Sequence, residues 1–292
     1  MNYIALNGWV YCGFGGEKKP REFIDWAAAQ GLDGVELTVG DCLPADTTEE
    51  ECRGIAAYAK ERDVGLRTLA TGCYGAMSLG AEDEAERARA VDFTRKYIQI
   101  AAWIGAETIL VIPGSAHVTW DPSRPVVPYG KVWENSVRSL RELIPVAERL
   151  GVDIALENVW MRFLLSPMEW KLFLDQFKTD RLGMYLDVGN CLIYAPPQDY
   201  IELLGTKYIK AVHIKNWKGD DCGGTLHGFG DSLFEGDVDY RPLFAALGRI
   251  GYDRTFAIEM IPFSRLPNLV MPDAALAEKM VGQIKELKAM AS

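Results

Sequence analysis

Four residues carry the chemistry that this sequence offers. Glu157 closes the run Ile154-Ala155-Leu156, Asp187 closes Met184-Tyr185-Leu186, His213 follows Ala211-Val212, and Glu259 closes Phe256-Ala257-Ile258. Each stands at the end of a short apolar run of the kind that forms a buried parallel strand. A charged group there is costly to bury unless it is paired, hydrogen-bonded or bound to a metal. Three carboxylates and one imidazole brought together repel one another when ionised, and a dication removes that penalty. The oxygen-rich set with one nitrogen suits Mn²⁺, Mg²⁺, Co²⁺ or Zn²⁺, with a lean to Mn²⁺. Any one of the four alone reads more readily as a helix cap or a surface acid. Their coincidence at four successive strand ends is what points to a metal site.

Converging on one point requires elements that bring strand ends together. Strand patterns fall at 3–7, 34–37, 65–69, 108–112, 153–157, 183–187, 211–214 and 257–260. Helical patterns fall at 20–30, 48–62, 82–104, 132–150, 167–177, 197–204, 241–250 and 274–290. Gly31, Gly105, Gly151, Gly205 and Gly251 follow five of the helices, where a left-handed C-cap residue is favoured. Eight strand–helix units in this order predict an α/β chain folded as a (β/α)₈ TIM barrel, one domain over residues 1–292. A chain of 292 residues, 49% hydrophobic and 25% charged, has ample material for one large core. Such barrels build their sites from the C-terminal strand ends, where the four residues lie. Two long connections, 113–130 after the fourth strand and 219–236 after the seventh, are expected to serve the site.

A net charge of −10 disfavours nucleic acid as a partner, since phosphate backbones are bound by Lys and Arg. The start of the chain lacks a basic, apolar leader and no run approaches a membrane span, so the expectation is a cytoplasmic protein without a membrane role. Cys12, Cys42, Cys52, Cys73, Cys191 and Cys222 show no C-x-x-C spacing and read as reduced, structural thiols.

The order Glu157, Asp187, His213, Glu259 at the ends of strands five to eight resembles the xylose-isomerase-like sugar isomerase/epimerase superfamily. Glu157-Asn158-Val159-Trp160, Asp187-Val188-Gly189-Asn190, His213-Ile214-Lys215 and Glu235-Gly236-Asp237-Val238-Asp239 resemble its sugar-phosphate isomerase/epimerase branch. The resemblance implies one divalent ion on Glu157, Asp187, His213 and Glu259, and a sugar or sugar-phosphate substrate. It gives Glu157 and Glu259 a second duty as an acid/base pair on a ketose-like substrate, working through an enediolate. The chain departs from tagatose-type 3-epimerases at Asn190, where those carry His, and at Met161 and Leu164 after the fifth strand.

Around this set, Lys215 shares the strand-face parity of His213 and is expected to meet substrate oxygens or a phosphate. Glu36, Arg162, Asn190 and Trp160 are the other expected substrate contacts, with surface salt bridges competing for Glu36 and Arg162. His117, just past the fourth strand, is a candidate extra acid/base. His227 is a candidate lid residue, and Trp9 and Trp217 are candidate pocket walls. Proton abstraction beside a ketone can also expel a leaving group, so a lyase or dehydratase on a keto-sugar stands as an alternative, such as the catalytic subunit of a C-glycoside-cleaving enzyme. A homo-oligomer or a smaller partner subunit fits either reading. A DNA-repair endonuclease would need more histidines than His117, His213 and His227, and a sugar sensor would keep the pocket without turnover.

Overall fold

A computed structural model describes residues 3–220 and 224–290. Cys222 lies outside them; Cys12, Cys42, Cys52, Cys73 and Cys191 are free thiols. Eight parallel strands close into a barrel in sequence order. They are β1 (Ile4–Asn7), β2 (Gly34–Thr38), β3 (Thr68–Ala70), β4 (Thr108–Val111), β5 (Asp153–Glu157), β6 (Leu182–Asp187), β7 (Ile209–Ile214) and β8 (Phe256–Ile258). Every strand residue is buried, because one face packs the barrel interior and the other meets the helices.

The helices begin where the sequence satisfies their free N–H groups. At α3 (Glu49–Glu61) Thr48 and Glu51 form a reciprocal capping box, and at α6 (Pro167–Leu174) Ser166 and Glu169 form another ahead of Pro167. The expected crossovers are α2 (Pro20–Gln30), α3, α4 (Glu84–Ile104), α5 (Tyr129–Leu150), α6, α7 (Pro197–Tyr208), α8 (Tyr240–Arg249) and α9 (Ala274–Met290). At the N-terminal end of the barrel Asp153 takes ion pairs from Arg181 at 3.0 Å and Arg254 at 2.6 Å, tying the segments that lead into β6 and β8 to β5.

Most boundaries shift by a few residues from the sequence reading, β3 to Thr68–Ala70 and α6 to Pro167–Leu174 among them, and three differences bear on the site or its supports. A short helix α1 (Gly8–Cys12) follows β1 directly, started by Asn7, whose side chain accepts from Trp9 N at 2.9 Å. Helix α7 runs past Gly205 to Tyr208, with Gly205 at φ 60° and ψ −175°, a conformation closed to side-chain-bearing residues. β8 ends at Ile258, so Glu259 stands one residue beyond it; its backbone N–H still donates to Ile214 O at 3.2 Å and holds it against β7. No helix among the described residues is long and apolar enough to cross a membrane.

Candidate metal centre

The parallel register carries Glu157, Asp187, His213 and Glu259 to one level at the C-terminal mouth. Asp187 is paired with His213 across β6 and β7, and Glu157 with Tyr185 across β5 and β6. Each of the four offers one ligand atom, and these atoms lie within 4.8 Å of one another. All four are buried. The imidazole is the hub: its Nδ1 faces Glu157 Oε1 at 3.2 Å, Asp187 Oδ2 at 3.8 Å and Glu259 Oε2 at 3.8 Å.

Supporting contacts orient this set. Asp187 Oδ1 accepts from the backbone N–H groups of Gly189 and Asn190 at 3.0 and 2.8 Å, which turns Oδ2 toward the other ligands. Asn158 clamps the same strand end, its Nδ2 donating to Asp187 O and its Oδ1 accepting from Asp187 N, both at 2.8 Å. Behind His213, Nε2 lies 2.8 Å from Glu36 Oε1. Glu36 in turn accepts from Asn7 Nδ2 at 2.8 Å and from the Tyr185 hydroxyl.

Buried charges of both signs are coupled in this cluster. Burial pushes Glu157 up to about 7, raised further by Glu259 and Asp187 and opposed by His213. Burial also works against charge on His213, but Glu36 and Glu259 outweigh it and hold the imidazole protonated well above its ordinary range. Burial opposes charge on Glu36 too, and the His213 cation with its hydrogen bonds brings that carboxyl below its ordinary value. For Lys215, burial is outweighed by Asp187, Glu259 and Glu157, so the amine stays charged.

Lys215 Nζ sits 2.9 Å from Asp187 Oδ2 and 2.5 Å from Glu259 Oε2. Apart from this ion pairing, both oxygens are buried with no hydrogen-bond partner. Two buried carboxylate oxygens held only by one amine and aimed at one point beside an imidazole nitrogen fit a divalent ion, which would coordinate both. The donor set does not choose among metals.

The site opens into a cavity of about 550 Å³. Glu157, Glu259 and Lys215 form its floor, and Trp9, Trp160 and Phe229 form walls. Trp160, Trp217 and Phe229 pack as one aromatic cluster. Trp160 is fixed by its indole N–H donating to Asn190 O at 2.9 Å.

The family model described as "Xylose isomerase-like TIM barrel" matches residues 24–287. The chain belongs to that family. Among curated relatives of this barrel family, a putative L-ribulose-5-phosphate 3-epimerase, SgbU of Escherichia coli (strain K12), is 25% identical over 241 residues, covering 80% of this chain and 81% of its own. Among solved structures, D-psicose 3-epimerase with D-tagatose from Clostridium cellulolyticum H10 superposes with TM-score 0.80 at 17% identity, covering 99% of both chains. The 3-keto-D-glucoside 4-epimerase YcjR from E. coli superposes with TM-score 0.74 at 16% identity, covering 99% of this chain and 100% of that one. Likeness at these structural identities is a likeness of fold. The family together with its curated relatives places this barrel among isomerases and epimerases.

Within the barrel, the residues anticipated around the ligand set separate into two groups. Lys215, Asn190 and Trp160 line the cavity, as does Trp9. Glu36 does not: it is fully buried behind His213, where its carboxylate is used up by Asn7, Tyr185 and the imidazole. Arg162 is exposed at φ 51° and stands outside the cavity lining, because the positive-φ residue turns the chain away after Met161. His117 is half-buried outside the lining, in a loop pinned by its N–H donating to Met161 O at 3.2 Å. His227 is exposed in the short turn Leu226–Gly228. Trp217 packs behind Trp160, its indole N–H donating to Thr225 O at 2.9 Å. Asn158 and Tyr185 were not singled out from sequence; Asn158 follows Glu157, and Tyr185 shares the inward parity of Asp187, two residues on.

Proposed function

We propose that this protein is a divalent-metal-dependent sugar epimerase that moves a proton on a carbon next to a ketone, with Glu157 and Glu259 as the acid/base pair. A bound ion would polarise the ketone oxygen and a neighbouring hydroxyl, acidifying the carbon-bound proton and stabilising the enediolate. One glutamate removes that proton and the other returns one from the opposite face. Asp187 and His213 hold the ion, Lys215 faces the substrate oxygens, and Trp160 with Asn190 borders the sugar.

The observation that carries this reading is that both glutamates of a four-residue ligand set border the same cavity from strands well apart in the ring, β5 and β8. Catalysis by that pair needs no further histidine, and His117 and His227 both stand outside the lining. The epimerase names of the curated relatives support the reaction class. The test is a panel of ketoses, ketose phosphates and ring-oxidised glycosides with metal-supplemented protein in deuterated water, followed by NMR. Metal-dependent loss of one carbon-bound proton signal with inversion at that carbon supports the proposal. Elimination products would favour the lyase reading, and binding without any exchange would make the protein a sensor.

A further inference from the structure

The connection after β2 brings one more carboxylate to the cavity. β2 runs toward the barrel mouth and ends at Thr38, and Asp41 stands in the turn that follows, lining the cavity wall. Glu36, earlier on the same strand, lies buried behind His213, so Asp41 belongs to a higher level than the floor. Among the described residues of the lining it is the one carboxylate outside the proposed ligand set.

The turn holds Asp41 in place. Leu43 N and Asp41 N both donate to Thr38 O, at 3.0 and 3.3 Å, and Gly40 N donates to Leu43 O at 2.8 Å. The Thr71 hydroxyl donates to Val39 O at 2.7 Å and ties the turn to the segment after β3. On its other side Gly16 packs so closely that a Cβ there would stand 2.2 Å from Asp41 O.

The side chain is half-buried, and one of its two oxygens is in use: Trp9 Nε1 donates to Oδ2 at 2.7 Å. Oδ1 has no hydrogen-bond partner among the described residues and is not sealed from solvent, so it is open to the cavity. Burial pushes this carboxyl above its ordinary range; the Trp9 N–H opposes the shift and Glu17 adds to it, with no lysine or arginine to offset either. A partly desolvated carboxylate without a cation is unfavourable, and a ligand's O–H donors would relieve it.

A sugar carries hydroxyl donors at its edge and C–H groups on its faces. Beside the open oxygen, Trp9 and Phe14 offer ring surface to the same cavity, their centroids 6.5 Å apart and their planes at 45°. A site built to hydrogen-bond a hydroxyl rejects the analogue that lacks it, so such a contact selects among sugars.

Resting on the proposed sugar chemistry at the floor, we infer that Asp41 is a specificity-determining residue, whose Oδ1 accepts from a hydroxyl at the end of the sugar remote from the ion. Trp9 keeps Oδ2 occupied and so aims Oδ1.

Metal-loaded wild type, Asp41→Ala, Asp41→Asn and Trp9→Phe are titrated calorimetrically with D-psicose, L-ribulose and L-ribulose 5-phosphate, and KM and kcat for proton exchange in deuterated water are read beside metal affinity. Asp41→Ala should weaken the tightest of the three by at least about tenfold in Kd and KM, the scale of one hydrogen bond to a charged group. Its kcat and metal affinity should hold. Asp41→Asn keeps the shape but gives its one oxygen to Trp9 and turns an N–H toward the sugar, so it should weaken binding too. Trp9→Phe, which removes only the aiming donor, should lose less than Asp41→Ala. Unchanged affinity in Asp41→Ala overturns the inference. So does a loss of metal affinity in step with that of sugar, which would make Asp41 a support of the floor, or a Trp9→Phe loss as large as that of Asp41→Ala, which would make it a holder of the indole. Binding of none of the three by wild type also overturns it. Binding that depends on Asp41 without any exchange leaves the inference standing and removes the epimerase reading; exchange indifferent to Asp41 does the reverse.

Discussion

Glu36 Oε1 lies 2.8 Å from Nε2 of His213, on the side of the imidazole away from the other three ligands. In the proposed site this would fix which nitrogen serves the metal. Nε2–H is donated to Glu36, and Nδ1 is left facing Glu157, Asp187 and Glu259. A carboxylate behind a ligating histidine sets its tautomer, its ring orientation and its basicity.

Glu36→Gln should therefore lower metal affinity by about ten- to a hundredfold, the range typical of partners one step behind a ligand. Competition with a calibrated chelator measures it. Affinity equal to wild type would show that the imidazole is positioned by its strand alone.

Lys215 neutralises Asp187 and Glu259 when no ion is bound, so removing its charge leaves two buried carboxylates uncompensated. Lys215→Met should cost the metal-free protein about 3 kcal/mol, the scale for breaking a buried ion pair from one side. Added ion should restore most of that stability, while substrate KM stays raised. Denaturant melts with and without metal, beside KM, check this; equal losses in both melts would make Lys215 a purely structural cation.

The pH response of Glu157 has opposite signs in the two forms. Its carboxyl is raised from 4.5 to about 7 in the metal-free fold, so between those values the folded state holds more protons than the unfolded state. Its contribution to stability is complete below 4.5 and is lost as pH rises through about 7. Metal uptake favours ionised Glu157 and needs His213 Nδ1 free of its proton, so affinity should fall by at least about tenfold per pH unit below 7. Metal titrations and thermal melts at pH 6, 7 and 8 read both; a flat affinity profile would remove Glu157 from the ligand set.

Asn158 joins β5 to β6 through two hydrogen bonds to the backbone of Asp187. Asn158→Ala should destabilise the barrel by about 1–3 kcal/mol, since it leaves buried backbone groups unpaired. Metal affinity should fall with it because Asp187 loses its anchor. Loss of stability with unchanged affinity would confine Asn158 to holding the strands.

The particular residues explain what was legible in the sequence. Asp187 and His213 end apolar runs, and parallel pairing puts such ends at one level, so the ligand set and the barrel could be read together. Short-range patterns carry no depth: parity aims Glu36 at the barrel axis, but whether it reaches the cavity or lies beneath His213 depends on Asn7 and Tyr185, contributed by β1 and β6. The connection after β4 follows the same logic. His117 is adjacent to a strand end in sequence, yet its path is set by the hydrogen bonds of Ala116 and His117 to Met161 O on another loop. Helix α1 was hidden because Gly-Trp-Val-Tyr-Cys has strand-like composition, and only the Asn7 cap and packing turn it helical.

The central claim is that Glu157 and Glu259 move a proton with the help of a bound ion. Its most direct test is deuterium incorporation and inversion of a turned-over keto-sugar by wild type, Glu157→Gln and Glu259→Gln, each with metal content determined. The account predicts that wild type exchanges only with its ion present. Both variants should retain the ion through the amide oxygen and fall by at least about 10²-fold in inversion. The variant that keeps the abstracting base should continue to exchange without inverting. Near-wild-type inversion in both variants, or full exchange by wild type stripped of metal, would contradict it.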